Sequence, residues 1–323
     1  MKKLTVVLFA ILLISACGDD NPIPDNLDFR QKMRQFVIAI SDYAKAQSPG
    51  FVIIPQNGQE IVSLDGASTG APAMDYLTAI DGTGREDLFY GYDSDNRETN
   101  TSDRDYLIGF LDVFKQHGVE VLTTDYCSSP SKMDDSYQQN EAKGYISFAA
   151  PERDLNVIPD YPLTPHNQHQ GDVNSLSDAR NFLYIIDPGG FGSRADFITA
   201  LVQTDYDVII MDYFFDGEET YSTGEISQLK IKAGGGKRLV IAYMSIGEAE
   251  DYRYYWKPEW KNSPPVWLEK ENPKWKGNYK VRYWESGWQA IIFGSGNAYL
   301  DRVIAGGFDG VYLDIIDAFE YFE

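Results

Sequence analysis

The hydrophobic positions of this chain fall into two alternating patterns. Short uninterrupted apolar runs, such as 51–54 and 208–211, are typical of strands that are buried on both faces of a parallel sheet. Longer stretches, such as 29–46 and 103–116, carry apolar residues at three- and four-residue steps, which predicts amphipathic helices. Because the two patterns alternate along the chain, they predict an α/β fold built on a parallel sheet.

Eight principal strands are predicted, and residues 145–148 are a candidate for a short extra one. Eight strands separated by helices or long connections favour a (β/α)8 barrel over a doubly wound sheet, which usually needs fewer strands. The predicted strands are 51–54, 88–91, 119–123, 182–186, 208–212, 239–244, 280–283 and 310–313.

The last predicted strand raises a problem of connectivity. Strand 310–313 lies within ten residues of Glu323, so no full helix follows it, whereas helix 29–46 precedes the first strand and has no strand to follow. If this helix packs where the last helix of a barrel belongs, the barrel closes from tail to head. We therefore expect strand 310–313 to hydrogen-bond with strand 51–54.

Residues 1–17 have the pattern of a signal peptide. Two lysines precede an apolar stretch that is too short to span a bilayer, and small residues then lead to Cys17. The run 14–17 resembles a bacterial lipobox, which predicts a lipidated Cys17 and a lipoprotein of the cell envelope, in the periplasm or on the outer membrane. The alternative is an ordinary secretory signal with an incidental cysteine. Residues 18–28, acidic and with two prolines, are then a tether.

Composition narrows the partners of the mature chain. A net charge of -21 argues against nucleic acid and is compatible with a cationic substrate, and 22 Tyr with 6 Trp suit stacking on sugar rings. With Cys17 lipidated, only Cys127 remains, so no intrachain disulfide is expected, and three histidines make no convincing zinc site. We expect no cofactor. Residues 29–323 are predicted to form one barrel, in which 159–178 has the composition of a linker.

Carboxylates follow most of the predicted strands. Parallel barrels build their active sites at the carboxyl ends of strands, and glycoside hydrolysis needs two carboxyl groups beside the scissile bond. This chain has more acids at strand ends than that mechanism uses: Glu60, Asp93, Asp125, Asp187, Asp212, Glu248, Glu250, Asp314 and Asp317.

Both halves of the chain resemble one family, the endo-α-1,4-polygalactosaminidases, which are barrel glycoside hydrolases. The most specific stretch is Gly-Phe-Asp-Gly-Val-Tyr-Leu-Asp-Ile-Ile-Asp-Ala at 307–318. In the family the segment like 180–323 comes first and the segment like 29–158 follows, so this chain resembles a circular permutant in which 159–178 joins the former ends. The other matching stretches are 212–213, 242–253 and 278–284 in the second half, and 51–60, 87–91 and 121–127 in the first.

The resemblance implies a function and an acid pair. It implies a lipid-anchored glycoside hydrolase that cuts an α-1,4-linked (N-acetyl)galactosamine polymer or a related glycan. The family's acid pair corresponds to Asp314, as nucleophile or electrostatic partner, and Glu60, as acid/base.

Other residues are expected to contact the sugar. For Asp212 and Glu248 the alternative is hydrogen bonding within the barrel mouth, and for Trp284 it is packing; Glu250, Asp251 and Arg253 are expected to form a structural ion-pair network. The expected substrate-binding residues are Asn57, Asp125, Tyr126, Asp212, Tyr243, Glu248, Trp284 and Asp317.

Two other functions stay open from the sequence. One is a non-catalytic glycan-binding surface lipoprotein that keeps the barrel and its aromatic residues. The other is a different hydrolase on the same scaffold. In either case the partner is a polysaccharide, and the membrane is contacted through the lipid alone.

Overall fold

The computed structural model describes residues 23–217 and 219–323. The predicted signal peptide, Cys17 and residues 18–22 of the predicted tether lie outside the described residues. Within the described part, no helix combines the length and the apolar content that crossing a bilayer requires.

Eight α-helices are assigned in the described residues. They are α1 (Phe29–Gln47), α2 (Met74–Ala79), α3 (Thr101–Gln116), α4 (Pro130–Lys143), α5 (Arg194–Val202), α6 (Thr223–Leu229), α7 (Ser286–Ile292) and α8 (Tyr299–Gly306). Short 3-10 turns follow at Gln59–Val62, Leu176–Asp178, Pro188–Gly190, Pro258–Lys261 and Ile316–Tyr321.

Thirteen strands are assigned in the same residues. They are β1 (Val52–Pro55), β2 (Gly82–Glu86), β3 (Glu120–Tyr126), β4 (Ile146–Ala150), β5 (Phe182–Ile185), β6 (Val208–Asp212), β7 (Phe214–Asp216), β8 (Glu219–Thr220), β9 (Leu239–Ser245), β10 (Glu248–Glu250), β11 (Leu268–Glu271), β12 (Asn278–Val281) and β13 (Gly310–Asp314).

Eight of these strands form two parallel sheets. One has the order β1-β13-β9-β6-β5 and the other the order β2-β3-β4. A parallel bridge between Gln56 and Gly84 connects β1 to β2. In the described residues no strand pairing joins β4 to β5, so the arrangement is a barrel-like α/β fold whose hydrogen-bonded closure is not shown. Antiparallel β10, β12 and β11 form a separate small sheet.

The predicted pairing of the last strand with the first is confirmed. Strand β13 lies parallel to β1, with Gly310 opposite Val52 and Leu313 opposite Pro55. Gly310 is required there because a Cβ atom would lie 2.4 Å from the Val52 carbonyl oxygen. The two ends of the described chain also touch, since Arg30 forms an ion pair with Glu323 at 2.9 Å.

Helix α1 is the amphipathic helix that the apolar spacing predicts. Asp28 caps its first turn by accepting a hydrogen bond from the Gln31 N–H at 2.8 Å. Its core-facing side chains are buried, as the three- and four-residue steps require, and comprise Met33, Phe36, Val37, Ile40 and Ala44. Near its start, the Phe29 ring lies 5.5 Å from the Phe322 ring, which brings the helix against the end of the chain.

Two predicted strands are wrong. The run 88–91 is a buried loop, and the strand before it is β2, at 82–86. Strand 280–283 is not part of the parallel sheets; β12, at 278–281, belongs to the antiparallel sheet. The candidate extra strand at 145–148 is instead β4, a full member of the parallel sheet.

The error at β2 has a physical cause. The strand begins Gly82-Thr83-Gly84, so it shows no apolar run. Both glycines are needed for packing, because a Cβ on Gly82 would lie 2.6 Å from the Leu176 side chain and one on Gly84 would lie 2.0 Å from the Tyr312 hydroxyl. Neighbouring side chains fill the space that apolar residues of this strand would occupy, which removes the hydrophobic pattern.

Candidate active site

A cavity of about 480 Å³ opens at the carboxyl ends of the parallel strands. This is the face on which parallel barrels carry their active sites, and the volume is within the usual range for ligand pockets. The side chains that reach it from strand ends or the turns just after them include Asn57, Glu86, Tyr126, Asp187, Asp212 and Asp314.

The cavity is strongly acidic. Its described lining contains two guanidinium groups, from Arg153 and Arg253, against eight carboxyl groups. Such an excess attracts cationic groups and raises the free energy of ionising further acids. The carboxyl groups belong to Glu86, Asp154, Asp187, Asp212, Glu248, Glu250, Asp314 and Asp317.

Asp314 ends β13 and is the most perturbed acid of the cavity. Desolvation raises its pKa to about 7, a hydrogen bond from the Tyr243 hydroxyl opposes that rise, and the charge of Glu86 adds to it. Asp317 follows one turn later, and burial together with the charge of Glu320 raises its pKa to about 6. Among the ion pairs of the described residues, none involves Asp314, so no cation offsets its burial.

Glu86 ends β2 and lies among hydrogen-bond donors. The Tyr126 hydroxyl donates to its Oε1 atom, and the Asn57 side-chain amide donates to its Oε2 atom at 3.0 Å. The Glu86 backbone N–H in turn donates to Asn57 Oδ1 at 3.3 Å. Donors on both carboxylate oxygens fix the direction in which the group points.

The backbone beside these acids is in an unusual conformation. Ile315 has φ of 61°, and Asn57 and Gly58 have φ of 60° and 57°. The left-handed region is unfavourable for a β-branched residue, at about 1–3 kcal/mol, and such strain persists where the surroundings fix it. Here the two loops press together, since a Cβ on Gly58 would lie 3.0 Å from the Asp317 backbone nitrogen. The contact holds the turn after Asp314 in place.

Arg253 organises the opposite wall of the cavity. Its guanidinium forms a bidentate pair with Asp212, at 3.1 and 2.7 Å, and contacts Glu250 at 2.7 Å. Desolvation raises the pKa of Asp212, and the charge of Arg253 counteracts that rise. The expected network of Glu250 and Arg253 is therefore present, while Asp251 pairs with Lys261 at 2.8 Å instead.

Most of the predicted substrate-binding residues line this one cavity. Glu248 is a buried part of the lining and accepts hydrogen bonds from the Asn272 amide at 2.7 Å and from the Tyr321 hydroxyl at 3.0 Å. The predicted residues that the cavity brings together are Asn57, Tyr126, Asp212, Tyr243, Glu248, Asp314 and Asp317.

Three predicted site residues lie elsewhere. Glu60 is on the 3-10 turn after β1, outside the described lining of the cavity, and accepts a hydrogen bond from the Tyr106 hydroxyl at 3.1 Å. Asp125 is fully buried and accepts the backbone N–H of Phe89 at 2.8 Å, so it braces the loop after β2. Trp284 packs its ring on Phe29 at 5.2 Å and takes the packing role that was its alternative.

Glu86 is the site residue that the sequence analysis missed. With the strand placed at 88–91, Glu86 fell before a strand, at the end remote from the active face. The sequence does contain one indication of its role, since Glu86 directly precedes the matched stretch 87–91. Placing the strand at 82–86 puts Glu86 at its carboxyl end.

Two other chemistries have no support in the described residues. No group of three or more His, Cys, Asp or Glu side chains there is arranged to hold a metal ion. Cys127 is buried, and desolvation raises its pKa to about 12, so it is not a thiolate nucleophile at neutral pH.

A barrel-like α/β fold with carboxyl groups at the strand ends is the arrangement that barrel hydrolases with acid catalysis share. Comparison with known proteins agrees with this class over the second part of the chain. Residues 164–323 match the model of glycoside-hydrolase family GH114, and this match supports a glycoside hydrolase of that family.

Three curated relatives are similar over part of their length. An uncharacterized protein of Methanocaldococcus jannaschii is 51% identical over 126 residues, which are 38% of this chain and 34% of the relative. Uncharacterized proteins of Thermotoga maritima and Deinococcus radiodurans are 48% and 42% identical over 118 and 131 residues, or 36% and 41% of this chain. The matches span 34% and 39% of those two relatives, so about a third of each curated protein is compared.

The raised pKa of Asp314 predicts a pH-dependent effect of removing its charge. Burial raises its pKa from the ordinary value of 3.8 to about 7 in the folded chain, so the stability of the wild type falls as pH rises through that interval. Asp314→Asn should therefore be more stable than the wild type above pH 7, by about 2–4 kcal/mol, and lose this advantage toward pH 4.

Denaturant unfolding of both proteins from pH 4 to pH 8.5 measures this difference. Asp42→Asn, which changes an exposed carboxylate on α1, is the matched control and should follow the wild type at every pH. Parallel curves for the wild type and Asp314→Asn would show that Asp314 is not desolvated.

Proposed function

We propose that this protein hydrolyses an α-1,4-linked (N-acetyl)galactosamine polymer, or a related glycan, with Asp314 and Glu86 as its two carboxyl groups. The observation that carries the proposal is that the two groups lie in one cavity but have different surroundings. Asp314 has no cationic partner in the described structure and has a pKa near 7, whereas Glu86 accepts hydrogen bonds on both oxygens. Two acids in such different environments suit the two roles of glycoside hydrolysis.

The roles follow from the surroundings of the two groups. Asp314, protonated in part of the population near neutral pH, donates its proton to the glycosidic oxygen as the bond to the anomeric carbon breaks. Glu86, oriented by Tyr126 and Asn57, acts either as the nucleophile on the anomeric carbon or as the base that accepts the proton of the attacking water. Water adds to the anomeric carbon, and a new reducing end and a free hydroxyl are the products.

In this proposal Glu86 replaces Glu60 as the second carboxyl group. Glu60 lies outside the described lining of the cavity, whereas Glu86 is in it and contributes to the rise in the pKa of Asp314. The acid excess of the cavity also supports an amino sugar as substrate, because a protonated amine is attracted to the carboxylates around the scissile bond.

Three matched substitutions test the assignment. Asp314→Asn and Glu86→Gln should each lower kcat by at least about 100-fold, since each removes a group that acts in the transition state. Glu60→Gln should retain activity. The measurement is release of reducing ends from galactosamine polymers, and in the wild type kcat/KM should fall as pH rises through about 7, because Asp314 loses its proton.

The outcomes separate the alternatives. Loss of activity in Glu60→Gln with an active Glu86→Gln would restore Glu60 as the partner. A wild type that binds the glycan without cleaving it would favour the non-catalytic lipoprotein, and cleavage of an unrelated glycan would favour a different hydrolase on this scaffold.

We also propose that residues 29–323 form one (β/α)8 barrel that is circularly permuted relative to the family. The parallel pairing of β13 with β1 and the ion pair between Arg30 and Glu323 support this order, because they bring the two ends of the described chain together. Segment 159–178 would then be the joining piece. Its anchor is Lys232, whose buried ammonium donates to the backbone carbonyls of His169 and Gly171 at 2.9 and 2.7 Å.

A reordered chain tests the permutation. Joining Glu323 to residue 24 by a short flexible linker, and opening the chain after the fully exposed Leu163, restores the order of the family. This variant should fold with the same cooperative unfolding and keep the pH dependence of the wild type, since the cut falls in an exposed loop. A chain with the same linker that is opened within β3 is the control and should not fold. Failure of both would show that the order of segments matters to this fold.

We propose further that lipidation of Cys17 anchors the protein in the cell envelope, on either face of the outer membrane or in the periplasm. The support is the sequence of residues 1–17 alone. The wild type should incorporate a labelled fatty acid and Cys17→Ser should not. If the wild type and Cys17→Ser incorporate the same amount of label, Cys17 is not lipidated and residues 1–17 are an ordinary signal peptide.

A further inference from the structure

An exposed tryptophan stands at the edge of the acidic cavity. Trp275 is 63% exposed and lines the cavity from the turn between β11 and β12. Its backbone N–H donates to the Asn272 carbonyl at 3.2 Å, and its own carbonyl accepts the Asn278 N–H at 3.1 Å. The turn is therefore braced, although the indole itself covers no core. An apolar ring held in water beside a cavity is a candidate surface for a flat apolar ligand face.

Polar groups suited to sugar hydroxyls share this wall of the cavity. Tyr252 is 47% exposed and donates its hydroxyl to Glu250 at 2.7 Å, and the Asn278 amide lies 3.4 Å from Glu248. All four residues line the same cavity as Trp275. A ring face beside hydroxyl-binding donors and acceptors is the combination that holds a pyranose, which has an apolar face and a polar edge.

The charge around Trp275 differs from that of the cavity. Residues 270–280, which include the turn that carries Trp275, contain four lysines and one acid, a net charge of +3 in a chain of net charge -21. Lys274 and Lys276 flank the tryptophan and are exposed, and in the described structure neither forms an ion pair. A protonated amino sugar on the indole would therefore be repelled, while an uncharged sugar would not.

We propose that Trp275 forms a subsite for an uncharged, N-acetylated sugar ring of the same glycan chain whose scissile bond lies at Asp314 and Glu86. The inference rests on the proposed function and adds a substrate pattern to it. The acidic cavity accepts a cationic, deacetylated residue, and the basic turn accepts an acetylated one. Partly acetylated chains then bind better than fully deacetylated ones.

Binding measurements test the subsite without depending on cleavage. Oligosaccharides of α-1,4-linked galactosamine, either partly N-acetylated or fully deacetylated, are titrated into full-length Asp314→Asn by calorimetry. In that background Trp275→Ala should weaken binding of the partly acetylated chain by about tenfold, while Trp275→Phe should keep most of the affinity. Tyr92→Ala, which removes an exposed aromatic ring outside the described cavity lining, should change nothing.

Charge reversal tests the selection between the two chains. Lys274→Glu combined with Lys276→Glu should tighten binding of the fully deacetylated chain by about tenfold and reduce the preference for the acetylated one. Lys143→Glu with Lys237→Glu, two exposed lysines outside the cavity lining, is the control of equal charge.

The results distinguish the subsite from the proposed hydrolysis. Unchanged affinity in Trp275→Ala, or an unchanged preference after charge reversal, would overturn the subsite even if the wild type cleaves the polymer. Binding that depends on Trp275 in a wild type without cleavage would uphold the subsite and overturn the hydrolysis. Absence of binding to either chain would overturn the subsite as well.

Discussion

The site depends on the place of β13 between β1 and β9. This strand hydrogen-bonds to both neighbours in parallel, and the register sets Asp314 opposite Ser245 of β9. The pairing fits closely, because a Cβ on Gly247 would lie 2.2 Å from the Ile315 carbonyl oxygen. A shift of one residue would turn the carboxyl group to the other face of the sheet. The geometry of the acids is therefore fixed by backbone pairing before any side chain contributes.

Given that position, the environment decides what each carboxyl group does. Asp212 and Asp314 both end parallel strands and both are desolvated. Asp212 faces the guanidinium of Arg253, which offsets the cost of its burial, whereas Asp314 meets a tyrosine hydroxyl and the charge of another acid. The first is suited to holding the wall of the cavity and the second to carrying a proton. Identical residue types at equivalent strand ends thus acquire different chemistry from one neighbouring cation.

Continuous apolar runs made most of the parallel strands predictable, and β13, β9 and β6 were placed correctly with the acids that follow them. Strand β2 was not predicted, because side chains from other elements fill the space beside its two glycines. A single sequence does not show which distant residues fill that space. This error affected the predicted site. With the strand placed at 88–91, Glu86 did not lie at a strand end, and Glu60 was chosen as the partner of Asp314. Strand β12 was misassigned for the opposite reason, since its pattern resembles a buried strand although it pairs antiparallel in a separate small sheet.

Asp125 and Tyr126 show why it is hardest to predict which side of a sheet the side chain at a strand end points to. In a half-exposed strand, alternation of apolar and polar residues would identify the side that meets the ligand. Strand β3 is buried along almost its whole length, so that signal is lost. Asp125 turns to the helix layer, where it accepts hydrogen bonds from Ser136 and Asn140, and Tyr126 turns to the cavity, where it donates to Glu86. Asp125 therefore stabilises the scaffold, whereas Tyr126 is part of the site. Which of the two faces the cavity is decided by the pleat of the strand and not by the chemistry of either side chain.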